Sequence, residues 1–225
     1  MKKAKIYSVI GLALLAALLT SCSDESTSAE TDTFDASVVC PENLRGTFVD
    51  ERDGQEYKYV TIGNQVWMAE NLKFDAPYSL CYGKIEGFCD TFGRFYSLHI
   101  NGALFDFFDQ ELLDTICPAG WHVPSMDEWN ALAVSVGGSN NAGYRLMSSS
   151  DFGERYTPGT DDCGFNSLPA GYWLKNGGIS HEYVSSMYWT STAKGFQKSF
   201  TCAFMATGFS FDVNHPKMSI RCIKD

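Results

Sequence analysis

Glycine divides the sequence beyond Tyr57 into short aromatic segments, and this spacing limits the length of any strand or helix. The chain has 20 glycines among its 225 residues, and 14% of its residues are aromatic. Several segments alternate apolar and polar residues, which is typical of half-buried strands in antiparallel pairs. The pattern predicts an α+β fold of short antiparallel strands with one or two helices. The candidate strands are residues 57–62, 65–68, 164–173, 188–192, 200–204, 209–213 and 218–223.

The clearest helix signal lies at residues 125–136. Ser125 is followed three residues later by Glu128, which is the spacing of a capping box at a helix N-terminus. Four apolar residues then recur on one helix face, namely Trp129, Leu132, Ala133 and Val136. Gly137 and Gly138 supply the stop. The sequence therefore predicts one helix with a single buried face.

Two further elements are predicted earlier in the chain. The turn signal Gly63-Asn64 separates segments 57–62 and 65–68, so we expect a hairpin there. In segment 93–108, apolar residues recur near helical spacing, although Gly102 favours a break. We therefore expect a helix in the first half of that segment.

The stretch CPAGWHVPSMDEW at residues 117–129 brings a thiol, an imidazole and two carboxylates close together. Such groups can form a nucleophile with its base, or hold a metal. The capping box already uses Glu128, and Asp127 lies in the first helical turn, where its charge complements the helix dipole. His122 lies beside Trp121 and is interpreted as a packed, hydrogen-bonded residue. We therefore interpret the stretch as scaffold and assign no catalytic residue.

The N-terminus carries the pattern of an export signal. Three lysines in the first five residues precede an apolar run at residues 9–19, which is shorter than the roughly 20 residues of a membrane-spanning helix. The run ends in Leu-Thr-Ser-Cys at residues 19–22, which resembles a bacterial lipobox. The resemblance implies that residues 1–21 are a lipoprotein signal peptide and that Cys22 is lipidated. We expect a membrane-anchored protein of the cell envelope, on the outer membrane and facing outward, with periplasmic display as the alternative.

Residues 22–45 are predicted to be a flexible acidic tether, and residues 46–225 a single domain. Segment 23–35 is polar and acidic, with too little apolar surface to order itself. Loss of the signal peptide removes three lysines and no acids, so the formal net charge falls from −10 to −13. Nucleic acid is not an expected partner, because the chain has no basic patch that could neutralise phosphates.

The cysteines are typical of an exported protein. Of the 8 cysteines, the seven that follow Cys22 are an odd number, so at least one must remain single in an oxidising compartment. No CxxC pair occurs, and the four histidines share no ligand spacing, so neither a metal site nor a cofactor is predicted. A bridge between Cys81 and Cys89 would close a short polar loop.

Six blocks of the sequence, taken in order, resemble the Fibrobacter succinogenes major paralogous domain. They are residues 61–72, 93–96, 117–132, 164–172, 188–192 and 219–225. The resemblance implies a C-type lectin-like fold, often attached to secretion or lipoprotein signals, with no established activity. It also implies a disulfide from Cys117 to Cys222 in the last strand. A third bridge between Cys163 and Cys202 is considered, which would leave Cys40 single.

Two relatives of the lectin-like fold offer alternatives. Formylglycine-generating oxidases have a similar helix start, but their late cysteines are closely spaced, whereas Cys202 and Cys222 lie twenty residues apart here. The Glu-Pro-Asn, Gln-Pro-Asp and Trp-Asn-Asp motifs of calcium-dependent lectins do not occur. Four loop residues carry oxygen atoms of the kind that bind calcium: Asp161, Asp162, Asp212 and Asn214. Because they are scattered, we interpret them as solvated side chains.

These features predict a non-catalytic cell-surface binding module that recognises an extracellular carbohydrate or a protein adhesion partner. Aromatic residues around glycine-rich loops are the predicted ligand contacts: Trp173 and Tyr183 first, then Tyr172, Tyr188 and Trp189. A structural envelope lipoprotein with no small-molecule ligand is the alternative, and an oxidase-like enzyme is the third possibility. The solvent exposure of the aromatic residues distinguishes the binding module from the structural lipoprotein, since a binder presents aromatic residues on its surface.

Overall fold

The computed structural model of the chain describes residues 32–81, 86–97, 110–153, 157–174, 177–180, 185–192, 197–200, 205–207 and 217–225. Contacts divide the chain into two compact units, Met1–Asp32 and Thr33–Asp225, and nearly all described residues belong to the second. The predicted signal peptide and Cys22 lie outside the described residues.

The second unit has the predicted α+β composition. Its helices are α1 (Ala36–Val39), α2 (Cys89–Phe92), α3 (Gln110–Thr115), α4 (Met126–Ser135) and α5 (Ser139–Leu146). Its strands are β1 (Arg45–Val49), β2 (Glu56–Ile62), β3 (Gln65–Met68), β4 (Leu80–Cys81), β5 (Arg94–Phe95), β6 (Trp121–His122), β7 (Tyr172–Trp173), β8 (Ile179–Ser180), β9 (Ser186–Trp189), β10 (Gln197–Phe200), β11 (Met205–Thr207) and β12 (Ile223–Lys224).

The largest sheet has five antiparallel strands in the order β1-β2-β3-β12-β6. The predicted hairpin β2–β3 is confirmed, and it pairs Val60 with Trp67. The C-terminal strand β12 lies between β3 and β6, so Ile223 pairs with Trp67 on one side and with His122 on the other. The end of the chain therefore completes the middle of the sheet.

Smaller sheets carry the rest of the chain. Strands β9, β10 and β11 form one antiparallel sheet, and β4–β5 and β7–β8 form antiparallel pairs. Only the last two residues of the predicted strand 164–173 are a strand, because the loop before it turns sharply, with Asn166 at φ 53°. The predicted strand 209–213 lies outside the described residues.

The predicted helix and its capping box are confirmed in α4. The Ser125 hydroxyl accepts a hydrogen bond from the Glu128 backbone N–H, and the Glu128 carboxylate accepts one from the Ser125 N–H at 2.7 Å. The predicted apolar face is buried, and the helix stops before Gly137, which has φ 91°. Trp129 on this face packs against Trp67 of β3, with ring centroids 4.6 Å apart. The cap thus sets the start of the helix that covers the large sheet.

The helix predicted at the start of segment 93–108 is wrong. Residues 94–95 form β5, and a short helix, α2, precedes them. Gly93 ends α2 with φ 73° and lies so close to Leu72 that an added Cβ would stand 2.8 Å from the Leu72 carbonyl oxygen. Only glycine fits there, so the chain turns out of the helix at this residue. Residues 98–109 lie outside the described residues.

The predicted tether is too long, because its C-terminal part is folded. Helix α1 is capped by the Asp35 side chain, which accepts a hydrogen bond from the Ser37 N–H at 2.9 Å. The Val39 carbonyl accepts a hydrogen bond from the Gly63 N–H at 2.8 Å, which fastens α1 to the β2–β3 turn. The folded unit therefore begins near Thr33 rather than at residue 46.

Three disulfides cross-link the described part of this unit. The bridges Cys81–Cys89 and Cys117–Cys222 are those expected. Cys163 pairs with Cys40, at a Cα–Cα distance of 5.4 Å, so the suggested Cys163–Cys202 bridge and a single Cys40 are wrong. The physical reason is that α1 folds onto the domain and brings Cys40 to the loop that carries Cys163. Cys202 lies outside the described residues.

The disulfides differ in the length of chain that they close, and this predicts their contributions to stability. Removing Cys117–Cys222 with two alanines should lower the free energy of unfolding by about 4 to 5 kcal/mol in the chain-entropy model, because its cysteines are 105 residues apart. The control pair Cys81→Ala and Cys89→Ala opens a separation of 8 residues and should cost only about 2 to 3 kcal/mol. Urea unfolding measures both, and equal losses would contradict the prediction.

Candidate functional site

The aromatic residues predicted to contact a ligand are mostly part of the core. Trp173, Tyr188 and Trp189 are exposed by only 7%, 0% and 1%. Tyr172 is half-buried and packs against a core cluster, and Tyr183 lies outside the described residues. A side chain without exposed surface cannot cover a sugar ring, so the assignment of Trp173, Tyr188 and Trp189 as ligand contacts is corrected to core.

Hydrogen bonds inside the protein explain why these aromatic residues are buried at low cost. The Trp189 indole N–H donates to the Tyr96 carbonyl oxygen at 2.8 Å. The Tyr188 hydroxyl lies 3.0 Å from the Ser167 hydroxyl, and its ring stacks on Trp129 at 5.3 Å. Buried polar atoms that find partners in this way avoid the desolvation penalty.

His122 is the centre of the polar cluster formed by the CPAGWHVPSMDEW stretch. Its Nδ1 lies 2.7 Å from the Asp225 carboxylate, and its Nε2 lies 2.9 Å from Glu128 Oε1. The other oxygen of Glu128 accepts hydrogen bonds from the Ser125 N–H and hydroxyl. His122 therefore joins the C-terminus of the chain to the N-terminal cap of α4.

Two opposing effects set the pKa of His122. Partial burial would lower the pKa of His122, but its hydrogen bonds to Asp225 and Glu128 outweigh that effect and raise the pKa. Both ring nitrogens are hydrogen-bonded to these carboxylates. Cys117, the thiol of the same stretch, is bonded to Cys222. The interpretation of this stretch as scaffold fits that geometry.

Arg221 is a buried charge to which sequence reasoning assigned no role. It has no exposed surface, and it donates hydrogen bonds to Asn71 Oδ1 at 2.6 Å and to the carbonyl oxygens of Phe165 and Asn166. Its guanidinium also lies over the Phe165 ring at 4.4 Å. No sequence signal indicates this burial, because the alternation of segment 218–223 places residue 221 on the face of Ser219, opposite the apolar residues Met218, Ile220 and Cys222.

The acidic loop considered for calcium holds its own backbone instead. The Asp161 carboxylate accepts a hydrogen bond from the Asn166 N–H at 2.7 Å, and burial raises the pKa of Asp161 to about 6. Asp162 lies 3.7 Å from the Arg145 guanidinium. Within the described ranges, no group of three or more His, Cys, Asp or Glu side chains is placed to hold a metal ion. Asp212 and Asn214 lie outside those ranges.

An open cleft of about 370 Å³ lies beside this loop. Its polar lining includes Ser37 and Glu42 from the N-terminal segment, together with Arg45 and Asp162. Two carboxylates and one guanidinium therefore face this cleft. The predicted aromatic contacts that the structure describes, Tyr172, Trp173, Tyr188 and Trp189, do not line it.

The described residues contain no helix that is both long and apolar enough to span a bilayer.

The proton held by His122 predicts a pH dependence of stability. Folding raises the pKa of His122, so the protonated side chain stabilises the fold. This stabilisation is complete below a pH of about 6.5, the pKa of histidine in the unfolded chain, and it is lost as the pH rises through the higher pKa of the folded protein. The free energy of unfolding should therefore fall between pH 6 and pH 8, by no more than about 1 kcal/mol because the side chain is 41% exposed. Urea unfolding of wild type and His122→Gln should show a steeper fall in wild type, and equal slopes would refute the role of His122.

The sequence comparisons concern the same part of the chain. The family model described as the Fibrobacter succinogenes major domain matches residues 60–224. No curated protein and no solved structure matches the chain. The matched segment runs from strand β2 to strand β12 and includes the capped helix α4, His122 and the Cys117–Cys222 bridge. Because it covers well over half of the sequence, the chain belongs to the Fibrobacter succinogenes major domain family.

Proposed function

We propose that this protein is a non-catalytic, lipid-anchored binding module of the bacterial cell envelope, displayed outward on the outer membrane. In this proposal the folded unit has a C-type lectin-like fold and recognises an extracellular carbohydrate or a protein ligand. The signal-like N-terminus and Cys22 provide the anchor, and the acidic residues after Cys22 provide the flexible spacer.

The disulfide framework is the observation that carries the proposal. Two of the three bridges join cysteines more than 100 residues apart in sequence, at separations of 123 and 105. Such bridges persist in oxidising compartments and are rare in the cytosol. They therefore support export of the chain, which the lipobox resemblance also implies.

The state of the chemically reactive groups favours binding over catalysis. Every cysteine of the described segments is in a disulfide, so none of these thiols is a nucleophile. Cys222, one of the two late cysteines compared with those of the oxidases, is bonded to Cys117. His122 is held between two carboxylates. These contacts disfavour the oxidase-like alternative.

A structural envelope lipoprotein with no small-molecule ligand is the second candidate. The observation in its favour is the burial of Trp173, Tyr188 and Trp189, which removes the aromatic surface expected of a binder. In this case the aromatic residues stabilise only the core. Replacing Trp173 by alanine should then lower the free energy of unfolding by about 3 to 5 kcal/mol.

Lipid anchoring predicts that Cys22→Ala changes the fate of the protein. The variant should be released into the soluble fraction or remain unprocessed, because a multiply acylated cysteine holds a protein on a membrane far more firmly than one chain does. Fractionation of cells that express the wild type, Cys22→Ala and the control Ser23→Ala measures this. A processed Cys22→Ala protein that stays in the membrane at the wild-type level would exclude the anchor.

Carbohydrate recognition predicts retention of the purified full-length protein, in detergent, on at least one of cellulose, xylan and immobilised animal glycans. Each aromatic contact contributes about 0.5 to 1.5 kcal/mol beyond burial, so we expect weak binding that many displayed copies would strengthen. Pull-down with and without a calcium chelator measures retention, and reduced, alkylated protein is the unfolded control. If none of these polysaccharides retains the wild type and no extracellular protein binds, the structural candidate holds.

A further inference from the structure

Tyr78 is a large aromatic residue that the fold presents to solvent. It is 74% exposed, in contrast to the buried aromatic residues of the C-terminal half. It follows Pro77 in a turn closed by a hydrogen bond of 3.0 Å from the Ser79 N–H to the Ala76 carbonyl oxygen. An exposed aromatic ring on a turn gains little from burial, so folding alone does not explain its presence.

The backbone of Tyr78 is strained. Its φ is 62°, in the left-handed region, and it occupies the third position of a turn whose second position is proline. Glycine or asparagine is usual at that position, because a larger side chain meets its own backbone there. In the described ranges, the other non-glycine residues at positive φ are Asp161 and Asn166, which tolerate this region. Tyrosine is thus an unfavourable choice for the fold, and such outliers concentrate at functional sites.

The base of this turn is rigid. The Phe74 carbonyl oxygen accepts a hydrogen bond from the Tyr96 hydroxyl at 2.8 Å, and the Arg52 guanidinium lies over the Phe74 ring at 4.0 Å. Lys217 Nζ donates a hydrogen bond to the Tyr78 carbonyl oxygen. The backbone that carries Tyr78 is therefore held in place, which lowers the entropy lost when a ligand binds.

Acidic, basic and hydroxyl side chains surround the turn. The Asp75 carboxylate is 75% exposed and lies 3.1 Å from Arg94 Nη1. The Ser79 hydroxyl donates to Asp75 at 3.3 Å and accepts from Arg94 at 3.4 Å. An aromatic face beside a carboxylate, a hydroxyl and a lysine offers an apolar surface together with hydrogen-bond donors and acceptors. A sugar ring needs this combination, because its C–H face is apolar and its rim carries hydroxyls.

We propose that Tyr78 is the aromatic platform of a carbohydrate-binding site, in which its ring covers the C–H face of a sugar and Asp75 and Ser79 bond its hydroxyls. This inference rests on the proposed function and places its ligand contact on the turn of residues 76–79, far in sequence from the aromatic residues first expected to do so. Tyr144 is the natural control, since it is 46% exposed but lies in regular helix α5.

The test compares full-length wild type, Tyr78→Asn, Tyr78→Phe and Tyr144→Asn on cellulose, xylan and immobilised animal glycans. Asparagine removes the ring and accepts a positive φ, so Tyr78→Asn should lose about tenfold or more in affinity. Its melting temperature should stay level or rise by up to about 4 °C as the strain is relieved. Tyr78→Phe keeps the ring and most of the binding, and Tyr144→Asn binds as wild type does.

The outcomes separate this inference from the proposed function. If the wild type binds and Tyr78→Asn binds equally well, the inference is overturned while carbohydrate recognition stands. If the melting temperature of Tyr78→Asn falls as it would for a core residue, Tyr78 is structural and the inference is again overturned. If the wild type binds none of the glycans, carbohydrate recognition fails and the inference fails with it.

Discussion

The fold depends on the pairing of the C-terminal strand in the middle of the large sheet. Ile223 pairs with Trp67 of β3 and with His122 of β6, so β12 joins these two strands in one sheet. The Cys117–Cys222 bond fixes the same segment covalently, and the Cys222 carbonyl accepts a hydrogen bond from the Met68 N–H at 3.0 Å. Asp225 then reaches His122 and, through it, the cap of α4. One short segment therefore links the sheet to the helix that covers it.

Arg221 gives this segment a defined register at an energetic cost. A guanidinium taken out of water loses several kcal/mol of hydration, and Arg221 Nε has no hydrogen-bond partner within the described part of the chain. Its bonds to Asn71 and to two carbonyl oxygens, with the Phe165 ring beneath it, offset part of this cost. A shift of one residue would turn the guanidinium away from all of these partners. The buried charge thus selects one pairing of β12.

Local signals made part of the fold predictable, and contacts distant in sequence made the rest unpredictable. The β2–β3 hairpin and the capping box of α4 are set by residues a few positions apart, so the sequence predicts both. The partner of Cys163 depends on where α1 packs, which no spacing reveals, and the match to the family begins only after Cys40. Gly93 could begin or end a helix by pattern alone, and its approach to Leu72 decides which. All four residues of β9 are buried, so alternation gives no information about exposure there.

The same limit applies to the candidate site, because composition does not separate aromatic residues that stabilise a core from those that face a ligand. In the structure, the hydrogen bonds of the aromatic side chains help to distinguish the two groups. Two buried rings satisfy their polar atoms internally: Trp189 donates to the Tyr96 carbonyl oxygen, and the Tyr57 hydroxyl accepts from the Lys73 N–H at 2.9 Å. Tyr78 is exposed, and its backbone lies in the left-handed region that is unfavourable for tyrosine. Pro77 signals that turn in the sequence, but only the backbone geometry shows that a tyrosine there is unfavourable for folding. A residue kept where it destabilises the fold is better explained by what it contacts outside the protein than by what it contacts within.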